Sequence, residues 1–413
     1  MGDMVNREEG DARKPDGGVQ KPLVLRGARV VTPAGILEGA DVHVAQGRIA
    51  RIAPEGSGTD SDSNGVETFD LRGLTLYPGF VDVHIHGAVG VDTLEADAED
   101  LHKVARFLAS RGVTAWLPTV VPAPALDYRR AVESIDELIR SHGERAASAR
   151  AVGIHYEGPF VNERQCGALR TAYFRDYARG NELDDLPTLG AKGAAHMMTV
   201  APEVEGGVEL VAELARRGWV VSIGHTRAAV EVLERAREAG ARHMTHFLNA
   251  MSPLHQRAPG PIGWGLVQDD VTVDLIADFV HSDPLVLRLV MRCKTAERVS
   301  LISDAVAPAG LGDGEYRVWG ETITVEAGRT RNERGSIAGS VITMLDAARN
   351  CRTLGLGETD IARLASFNPA RLIGIEDDCG SIEEGKRADL AALDDEGRAR
   401  LTLVGGRVAH AAG

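Results

Sequence analysis

The feature of this chain that most limits its fold is an alternation of short apolar segments with helical segments across its centre. Between Leu76 and Asn368, segments rich in β-branched residues are followed by stretches rich in Ala, Leu, Glu and Arg, which is typical of strands that alternate with helices. The eight candidate strands are LYPGFVDVHIH, VTAWLPTVV, AVGIHYEG, HMMTVAP, WVVSIGHT, HMTHFLNA, VTVDLIADFVH and RVSLISDAV. Eight parallel strands with intervening helices predict an α/β fold, a (β/α)8 TIM barrel, and the fourth segment has the weakest strand pattern.

The two ends of the chain have the pattern of a second, smaller domain. Short alternating runs separated by turn residues follow Lys21 and return in the last thirty-odd residues, which is typical of β-hairpins. Because chain ends often lie close together, we predict that both ends form one small β-sandwich domain. The first twenty residues carry charge, Gly and Pro but little to bury, so they are predicted to be a disordered tail. The predicted divisions are 1–20 for the tail, 21–75 and 376–413 for the β domain, and 76–375 for the barrel.

Net charge and cysteine content limit the partners and the compartment. The 413 residues include 46 Lys and Arg against 60 Asp and Glu, which gives a formal net charge of −14 at pH 7. Neither nucleic acid nor an anionic membrane is an expected partner of so acidic a chain. No apolar run approaches the roughly 20 residues that span a bilayer, and the N-terminus lacks the apolar stretch of a signal peptide. The four cysteines are far apart without a CxxC pair, which favours a reducing cytoplasm over a disulfide framework or a thiolate zinc site.

Six of the eight candidate strands end in side chains that bind metals or transfer protons. These side chains are His84, His86, Glu157, His225, His246, His281 and Asp304. Catalytic residues of a TIM barrel lie at the C-terminal ends of its strands, so residues far apart in sequence meet at one mouth. A single histidine there could be an ordinary hydrogen-bonded residue, but six such endings together predict an active site.

The strand ends supply a candidate metal centre and a candidate proton carrier. A glutamate and two histidines with an open position are the ligands expected of a hydrolytic divalent metal, and here they are Glu157, His225 and His246. His84 and His86 are two residues apart on one strand, so both face the same side and can chelate. Asp304 could take a proton from water activated by the metal and pass it to a leaving amine. The alternative is that Asp304 is itself a metal ligand.

The long loop between the sixth and seventh strands, NAMSPLHQRAPGPIGWG, is a candidate anion site. Arg257 could make a forked contact with a phosphate or carboxylate, and backbone N–H groups near Asn249 and Ala250 could add to it. In a chain of charge −14, a local site of this kind would explain how an anionic substrate is accepted. The alternative is that Arg257 is a solvated loop residue.

Nine motifs together carry a family resemblance. They are PGFVDVHIHG, HYEGPFVN, SIGHT, THFLNAM, HQRAPG, IADFVH, SDAVAPAGLGDGEY, GSIAGS and SFNPARLIG. The chain resembles the N-acetylglucosamine-6-phosphate deacetylase family of the amidohydrolase superfamily over nearly everything after the tail. The resemblance implies hydrolysis of the N-acetyl group of N-acetylglucosamine 6-phosphate to glucosamine 6-phosphate and acetate. It also implies one or two divalent ions per subunit, with zinc expected and iron, manganese or cobalt as alternatives.

The same resemblance implies a role for individual residues. Metal ligands would be Glu157, His225 and His246, with His84 and His86 completing a second metal site. Asp304 would be the catalytic aspartate. Substrate contacts would come from Ala168, Leu169, Asn249, Ala250, Arg257, Ile337, Ala338 and Gly339, with Arg257 at the 6-phosphate. His281 would reach the phosphate bound by the neighbouring subunit, which implies a homodimer.

One position departs from the family pattern. The family usually has a Gly-Ala-His triplet whose histidine contacts the substrate near its acetamido group, and this chain has Gly167, Ala168 and Leu169. Leucine donates no hydrogen bond, and the loss of one such donor can cost about 10²–10³ in rate. A second metal at His84 and His86 could polarise the carbonyl instead, His255 could substitute, or the substrate could be a different N-acyl amino sugar. A non-catalytic binding homologue is a third functional hypothesis.

Overall fold

A computed structural model describes residues 21–56, 66–144 and 147–412. The tail predicted for 1–20 lies outside the described residues. The strands before the first helix are β1 (Leu23–Thr32), β2 (Gly35–Ala45), β3 (Arg48–Pro54), β4 (Glu67–Asp70), β5 (Thr75–Pro78), β6 (Phe80–Ile85), β7 (Gly87–Ala88) and β8 (Val91–Asp92). The first half of the alternating segment comprises α1 (Ala98–Ala109), β9 (Val113–Val120), α2 (Ala125–Ser141), β10 (Arg150–Ala151), β11 (Gly153–Glu157), β12 (Ala195–Val200) and α3 (Gly207–Arg216).

The remaining elements complete the alternation and return to the chain end. They begin with β13 (Val220–Ile223), α4 (Val230–Ala239), β14 (His243–Met244), α5 (Gly260–Val267), β15 (Thr272–Ile276), α6 (Pro284–Lys294) and β16 (Val299–Ile302). They end with β17 (Gly314–Val318), β18 (Glu321–Glu326), β19 (Arg329–Asn332), α7 (Met344–Thr353), α8 (Glu358–Ala362), α9 (Asn368–Leu372), β20 (Leu390–Leu393), β21 (Ala399–Val404) and β22 (Arg407–Ala411). A π-helical turn, Arg363–Phe367, joins α8 to α9.

The centre of the chain forms the predicted barrel. Parallel strands follow one another in the order β6, β9, β11, β12, β13, β14, β15, β16, and each lies next to its neighbour in that order. The backbone N–H of Asp304 donates to the carbonyl oxygen of His84 at 2.9 Å and links the last strand to the first. The weakest of the predicted strands, β12, is confirmed and pairs with β11 over five residues. The (β/α)8 prediction is therefore confirmed.

One connection of the barrel differs from the predicted alternation. Between β11 and β12 the chain forms no α-helix but three short 3-10 turns, at Glu163–Gln165, Thr171–Tyr173 and Glu182–Asp185. Gly and Pro recur through residues 158–193, and both interrupt helices. This long connection carries Gly167, Ala168 and Leu169 over the mouth of the barrel.

Both chain ends form one sheet, as predicted. Its strand order is β22, β21, β20, β5, β1, β2, β3, with β4 paired to β1, and β20 from the C-terminal end runs antiparallel to β5 from the N-terminal end. Leu25, Val30 and Leu403 are completely buried in its core. Strand β5, Thr75–Pro78, crosses the predicted boundary between residues 75 and 76. In the described residues, none of the helices is both long and apolar enough to cross a membrane.

The first predicted strand, LYPGFVDVHIH, is two strands and not one. Gly79 separates β5, which belongs to the terminal sheet, from β6, which opens the barrel. The Gly79 N–H donates to the carbonyl oxygen of Asp389 at 2.8 Å. A Cβ at Gly79 would lie 2.2 Å from the side chain of Thr114, so only glycine fits where the chain passes from one sheet to the other.

A three-stranded antiparallel sheet was not predicted. Strands β17, β18 and β19 pair in sequence order between the last barrel strand and α7. Turns at Gly320 and Gly328 separate them, and both glycines have positive φ. This small sheet lies beside the barrel mouth, because the turn between β17 and β18 places Trp319 in the cavity described below.

Candidate active site

Six ionisable side chains from five barrel strands meet at the mouth. They are His84 and His86 at the end of β6, Glu157 at the end of β11, and His225, His246 and Asp304, each two residues beyond β13, β14 and β16. All six are buried, with at most 7% of any residue exposed. The sequence therefore predicted a set of side chains that the fold brings together.

Glu157 lies at the centre of this cluster. Its Oε1 atom is 2.9 Å from His225 Nε2 and 3.0 Å from His246 Nε2. Its Oε2 atom is 3.3 Å from His86 Nε2, and Oε1 is 3.7 Å from His84 Nε2. The carboxylate is thus shared by two groups of candidate metal ligands, His84 with His86 and His225 with His246.

Asp304 lies against the other side of the His84 and His86 pair. Its Oδ1 atom is 3.3 Å from Nε2 of each histidine. The two Nε2 atoms are 3.1 Å apart, so the Asp304 carboxylate contacts both imidazoles at adjacent nitrogen atoms. This position suits either a proton carrier beside a metal or a further ligand, the two roles that the sequence left open.

The backbone at three of these positions adopts an uncommon conformation. His225, His246 and Asp304 have φ values of 47°, 31° and 49°, a left-handed region that non-glycine residues seldom occupy. Such strain is retained where the surrounding structure enforces it, and it is concentrated at active sites. Here it turns the chain sharply after the strand and leaves each side chain within the cluster.

Three buried residues behind the cluster hold its histidines. Asp274 accepts a short hydrogen bond from the backbone N–H of His246 and lies 2.9 Å from His243 Nε2. Asp82 accepts from the His84 N–H at 3.4 Å and from the hydroxyl of Ser303 at 2.5 Å.

His155 is the third of these supports. Its ring nitrogens contact the carbonyl oxygen of Val83 at 3.0 Å and the hydroxyl of Thr199 at 2.8 Å, and its ring packs edge-on against His84. Burial lowers the pKa of His155 well below its usual value, so its ring is neutral. Asp82 and Asp274 were not among the predicted site residues. Their signal is a carboxylate within an apolar strand, and Asp82 has the same strand parity as His84 and His86.

Charge in the cluster favours a cation at its centre. Burial raises the pKa of Glu157 and of Asp304, but hydrogen bonds from the surrounding imidazoles outweigh burial and hold both values well below the usual range. Burial lowers the pKa of His86 and His246, yet the same carboxylates raise these values to about 10 and about 9. Two ionised carboxylates therefore stabilise positive charge on His86 and His246.

The donor set fits a divalent metal. His225 Nδ1 lies 2.7 Å from the carbonyl oxygen of Gln165, which only accepts, so Nδ1 carries the proton. In the neutral ring, Nε2 then directs a lone pair at Glu157 Oε1 and at His246 Nε2, 3.1 Å away. These facing atoms need a positive charge between them, which either a proton on His246 or a metal ion supplies. Imidazole nitrogen and carboxylate oxygen are ligands that zinc and related ions accept.

A cavity of about 300 Å³ opens above the cluster. Besides cluster residues, its walls include Gly167, Ala168, Leu169, Asn249, Ala250, His281, Trp319, Ser336, Ile337 and Gly339. Seven of the predicted substrate contacts therefore lie on one cavity. Trp319, Ser336 and Gly167 were not among the predicted contacts, and for Trp319 and Ser336 the reason is that the small sheet and the loop after it were not predicted.

Comparison with known proteins gives the family. The model of the amidohydrolase family matches residues 75–409. The chain belongs to the amidohydrolase family. N-acetylglucosamine-6-phosphate deacetylase of Bacillus subtilis (strain 168) is 33% identical over 388 residues, which cover 94% of this amidohydrolase and 97% of the relative. N-acetylgalactosamine-6-phosphate deacetylase of Escherichia coli O157:H7 is also 33% identical over 388 residues, covering 94% and 99%.

Solved structures agree with the sequence relatives. A mutant N-acetyl-D-glucosamine-6-phosphate deacetylase from Mycobacterium smegmatis, in complex with N-acetyl-D-glucosamine-6-phosphate, aligns with a TM-score of 0.84 at 30% identity. The alignment covers 94% of this chain and all of that one. The predicted family is therefore confirmed, and the chain belongs to the N-acetylglucosamine-6-phosphate deacetylase family of amidohydrolases, which are hydrolases that act on amide bonds.

Two predicted contacts of this amidohydrolase lie away from the cavity wall. Arg257 is exposed on its loop, and its backbone N–H lies 3.3 Å from Nδ1 of the equally exposed His255. Neither residue lines the cavity. The single chain therefore does not place His255 where it could replace the histidine that the family usually has at the position of Leu169. Ala338 is completely buried between Ile337 and Gly339, which do line the cavity.

His281 gives the amidohydrolase cavity a polar surface, and Leu169 gives it an apolar one. His281 Nδ1 lies 2.7 Å from Asp278 Oδ2, and in the single chain His281 lines the cavity of its own subunit. The hydrogen bond fixes its ring with Nε2 free to face a ligand. Leu169 is 3% exposed and packs into the main core while it lines the cavity, so it offers an apolar surface where the family usually has a donor.

Proposed function

We propose that this amidohydrolase removes the N-acetyl group of N-acetylglucosamine 6-phosphate, giving glucosamine 6-phosphate and acetate. The observation that carries the proposal is the position of Asp304, 3.3 Å from both His84 and His86, within the Glu157 cluster at the floor of the cavity. A carboxylate at that place adjoins both imidazoles of the His84 and His86 pair, and it lines the cavity in which an amide would bind.

A divalent metal is part of the proposal. Glu157, His225 and His246 would hold one ion, and His84 and His86 would complete a second site with Glu157. Zinc is the proposed ion, with iron, manganese or cobalt as alternatives, and either one or two ions per subunit. When bound, the ion supplies Lewis-acid activation of the amide carbonyl and of the attacking water.

Asp304 moves the proton in this mechanism. Because its pKa is held low, the carboxylate is ionised and accepts a proton from the water that attacks the carbonyl carbon. The protonated carboxyl group is then a strong acid, and it gives this proton to the amide nitrogen as the carbon–nitrogen bond breaks. The products are acetate and the free amine, so one residue acts first as base and then as acid.

Phosphate recognition and assembly extend the proposal. Arg257 would contact the 6-phosphate, with help from the backbone near Asn249 and Ala250. His281 would reach the phosphate in the neighbouring active site of a homodimer, which rests on the family resemblance. A cytoplasmic location agrees with four cysteines that form no disulfide in the described residues.

The test is acetate release from a small panel of sugars. Purified protein with measured metal content is incubated with N-acetylglucosamine 6-phosphate, N-acetylgalactosamine 6-phosphate and unphosphorylated N-acetylglucosamine. We expect release from the phosphorylated substrates and a raised KM for them in Arg257→Ala, with Gln256→Ala as the matched loop control. No release with any divalent metal would refute the proposal.

A second candidate keeps the chemistry and changes the substrate. Leu169 makes one wall of the cavity apolar, which favours a different N-acyl amino sugar. Arg257→Ala with full activity, together with faster turnover of an unphosphorylated sugar, would favour this candidate. The non-catalytic hypothesis predicts instead that Asp304→Asn changes nothing, which conflicts with the complete set of buried ionisable groups around that residue.

A further inference from the structure

Trp319 forms a wall of the cavity beside the reacting groups. It lies in the turn between β17 and β18, and its indole ring packs edge-on against the His86 ring with centroids 5.3 Å apart. It is 6% exposed and lines the cavity. Among the described residues that line the cavity, it supplies the single aromatic ring apart from the imidazoles.

The position of Trp319 places it beside the part of a substrate that adjoins the scissile bond. Hydrolysis at this site, on which the inference rests, requires the scissile carbonyl to reach the metal ligands and Asp304. The acyl substituent is one covalent bond from that carbonyl carbon, so it must lie among the side chains that pack against the cluster. Trp319 contacts His86, and His86 lies 3.3 Å from Asp304, so the indole ring lies close to the reaction centre.

Trp319 is also held in place from behind. Its backbone has a φ of 54°, an uncommon value for a bulky residue, which commits the turn to one conformation. The indole N–H approaches the buried carboxylate of Asp92 on β8, although Nε1 and Oδ2 lie outside ordinary hydrogen-bond geometry. Asp92 itself accepts from the backbone N–H of Leu94 at 3.0 Å. The contact with His86 and the low exposure of Trp319 restrict the movement of its side chain.

We propose that Trp319 sets the length of the N-acyl group that this amidohydrolase accepts, admitting acetyl and excluding longer chains. A rigid aromatic wall next to the reaction centre leaves room for a methyl group and none for further methylenes. An apolar pocket discriminates by roughly tenfold or more for each methylene that it admits or refuses. The residue is therefore a determinant of specificity, distinct from the groups that carry out the hydrolysis.

The test compares N-acetyl-, N-propionyl- and N-butyryl-glucosamine 6-phosphate, with the released amine as the readout. We expect the ratio of kcat/KM for butyryl over acetyl to rise from wild type through Trp319→Phe and Trp319→Leu to Trp319→Ala, by roughly tenfold or more at the end of the series. The graded series allows for a variant that fails to fold. Leu311→Ala, an exposed position outside the cavity, is the control and should leave the ratio unchanged.

Binding separates this inference from the proposed hydrolysis. Calorimetric titration of Asp304→Asn with the acetyl and butyryl compounds should show tighter binding of acetyl, and adding Trp319→Ala should remove the preference. If the wild-type protein showed no turnover but the binding preference for acetyl were present, the proposed function would be refuted and the role of Trp319 in acyl selection would be retained. Equal affinities for both compounds, or a kcat/KM ratio that no Trp319 variant changes, would overturn the inference.

Discussion

Asp304 and His84 meet twice, once through the backbone and once through their side chains. The Asp304 N–H donates to the His84 carbonyl oxygen at 2.9 Å, and Asp304 Oδ1 lies 3.3 Å from His84 Nε2. The same register that closes the barrel between its last and first strands thus fixes the distance between the proton carrier and a candidate metal ligand. The contact that closes the barrel therefore also sets the geometry of the site.

Replacing Asp304 by asparagine should abolish proton transfer while it preserves the size of the side chain. We expect kcat to fall by about 10³, within the range that general acid–base catalysis contributes. The measurements are steady-state acetate release and metal content of the purified variant. Metal content should stay at the wild-type level, because Glu157 and the four histidines remain.

A matched variant distinguishes the two roles that Asp304 could have. Glu157→Gln removes the shared ligand and should lower metal content as well as activity. If Asp304→Asn also loses metal, Asp304 is a ligand, which is the alternative role. Unchanged acetate release in Asp304→Asn would contradict both roles.

Asp274 should influence the metal without touching it. It accepts from the His246 backbone and lies 2.9 Å from His243, both behind the cluster. Loss of partners of this kind typically lowers metal affinity by about 10–100-fold. We expect Asp274→Asn to bind zinc more weakly by that factor in competition with a chelator. The N-cap variant Asp283→Asn, which affects only the start of α6, serves as control, and equal zinc affinity in the two variants would contradict the assignment.

Much of this arrangement could be predicted from the sequence because it depends on periodicity. The parity of a strand places His84 and His86 on one face, and the rule that active sites lie at the C-terminal ends of barrel strands unites Glu157, His225 and Asp304. These inferences need only the strand pattern and not the exact path of a loop.

The parts that were not predicted depend on loop geometry. The left-handed backbone at His246 and Asp304 leaves only a weak signal in residue type, because neither is a glycine, although His and Asp adopt positive φ more often than most residues. The position of Arg257 outside the cavity wall depends on the path of a long loop. The β17–β19 sheet did leave a signal, since alternating residues surround the turns at Gly320 and Gly328, and reading it would have identified Trp319.

Gly339 is expected to be indispensable because of its surroundings. Its φ is 61°, and a Cβ there would lie 2.5 Å from Val306 Cγ1 and 2.8 Å from the Asp304 carbonyl oxygen. Gly339→Ala should lower the free energy of unfolding by roughly 1–3 kcal/mol more than a glycine replacement without contacts, and should displace Asp304. Gly335→Ala is the matched control, since its φ is 80° and nothing lies within 4 Å of the added Cβ. Urea unfolding and acetate release measure both effects, and equal losses in the two variants would show that crowding at Asp304 is unimportant.

Asp389 should make stability depend on acid pH. Burial raises the pKa of Asp389, but Arg150 at 3.0 Å and Arg387 at 3.3 Å outweigh burial and lower it. Arg150 starts β10, which pairs with barrel strand β9, and Asp389 precedes β20, so the ion pair joins the barrel sheet to the terminal sheet. Since the folded-state pKa is depressed, this stabilisation is complete above the unfolded value of about 3.9 and is lost as pH falls through the folded-state pKa.

Asp389→Asn should therefore lower the free energy of unfolding by about 3 kcal/mol at neutral pH, because it leaves a largely buried arginine without its partner. The difference from wild type should narrow as pH falls below about 4, because the unfolded wild-type chain then takes up a proton at Asp389 while the folded protein keeps this carboxylate ionised down to its lower pKa. Asp378→Asn is the control, since this carboxylate pairs with Arg48 and Arg387 at the surface and should contribute less than about 1 kcal/mol. Urea unfolding across this pH range measures both variants. A deficit in Asp389→Asn that stays constant from neutral to acid pH would mean that packing, and not the charge of Asp389, is what the substitution removes.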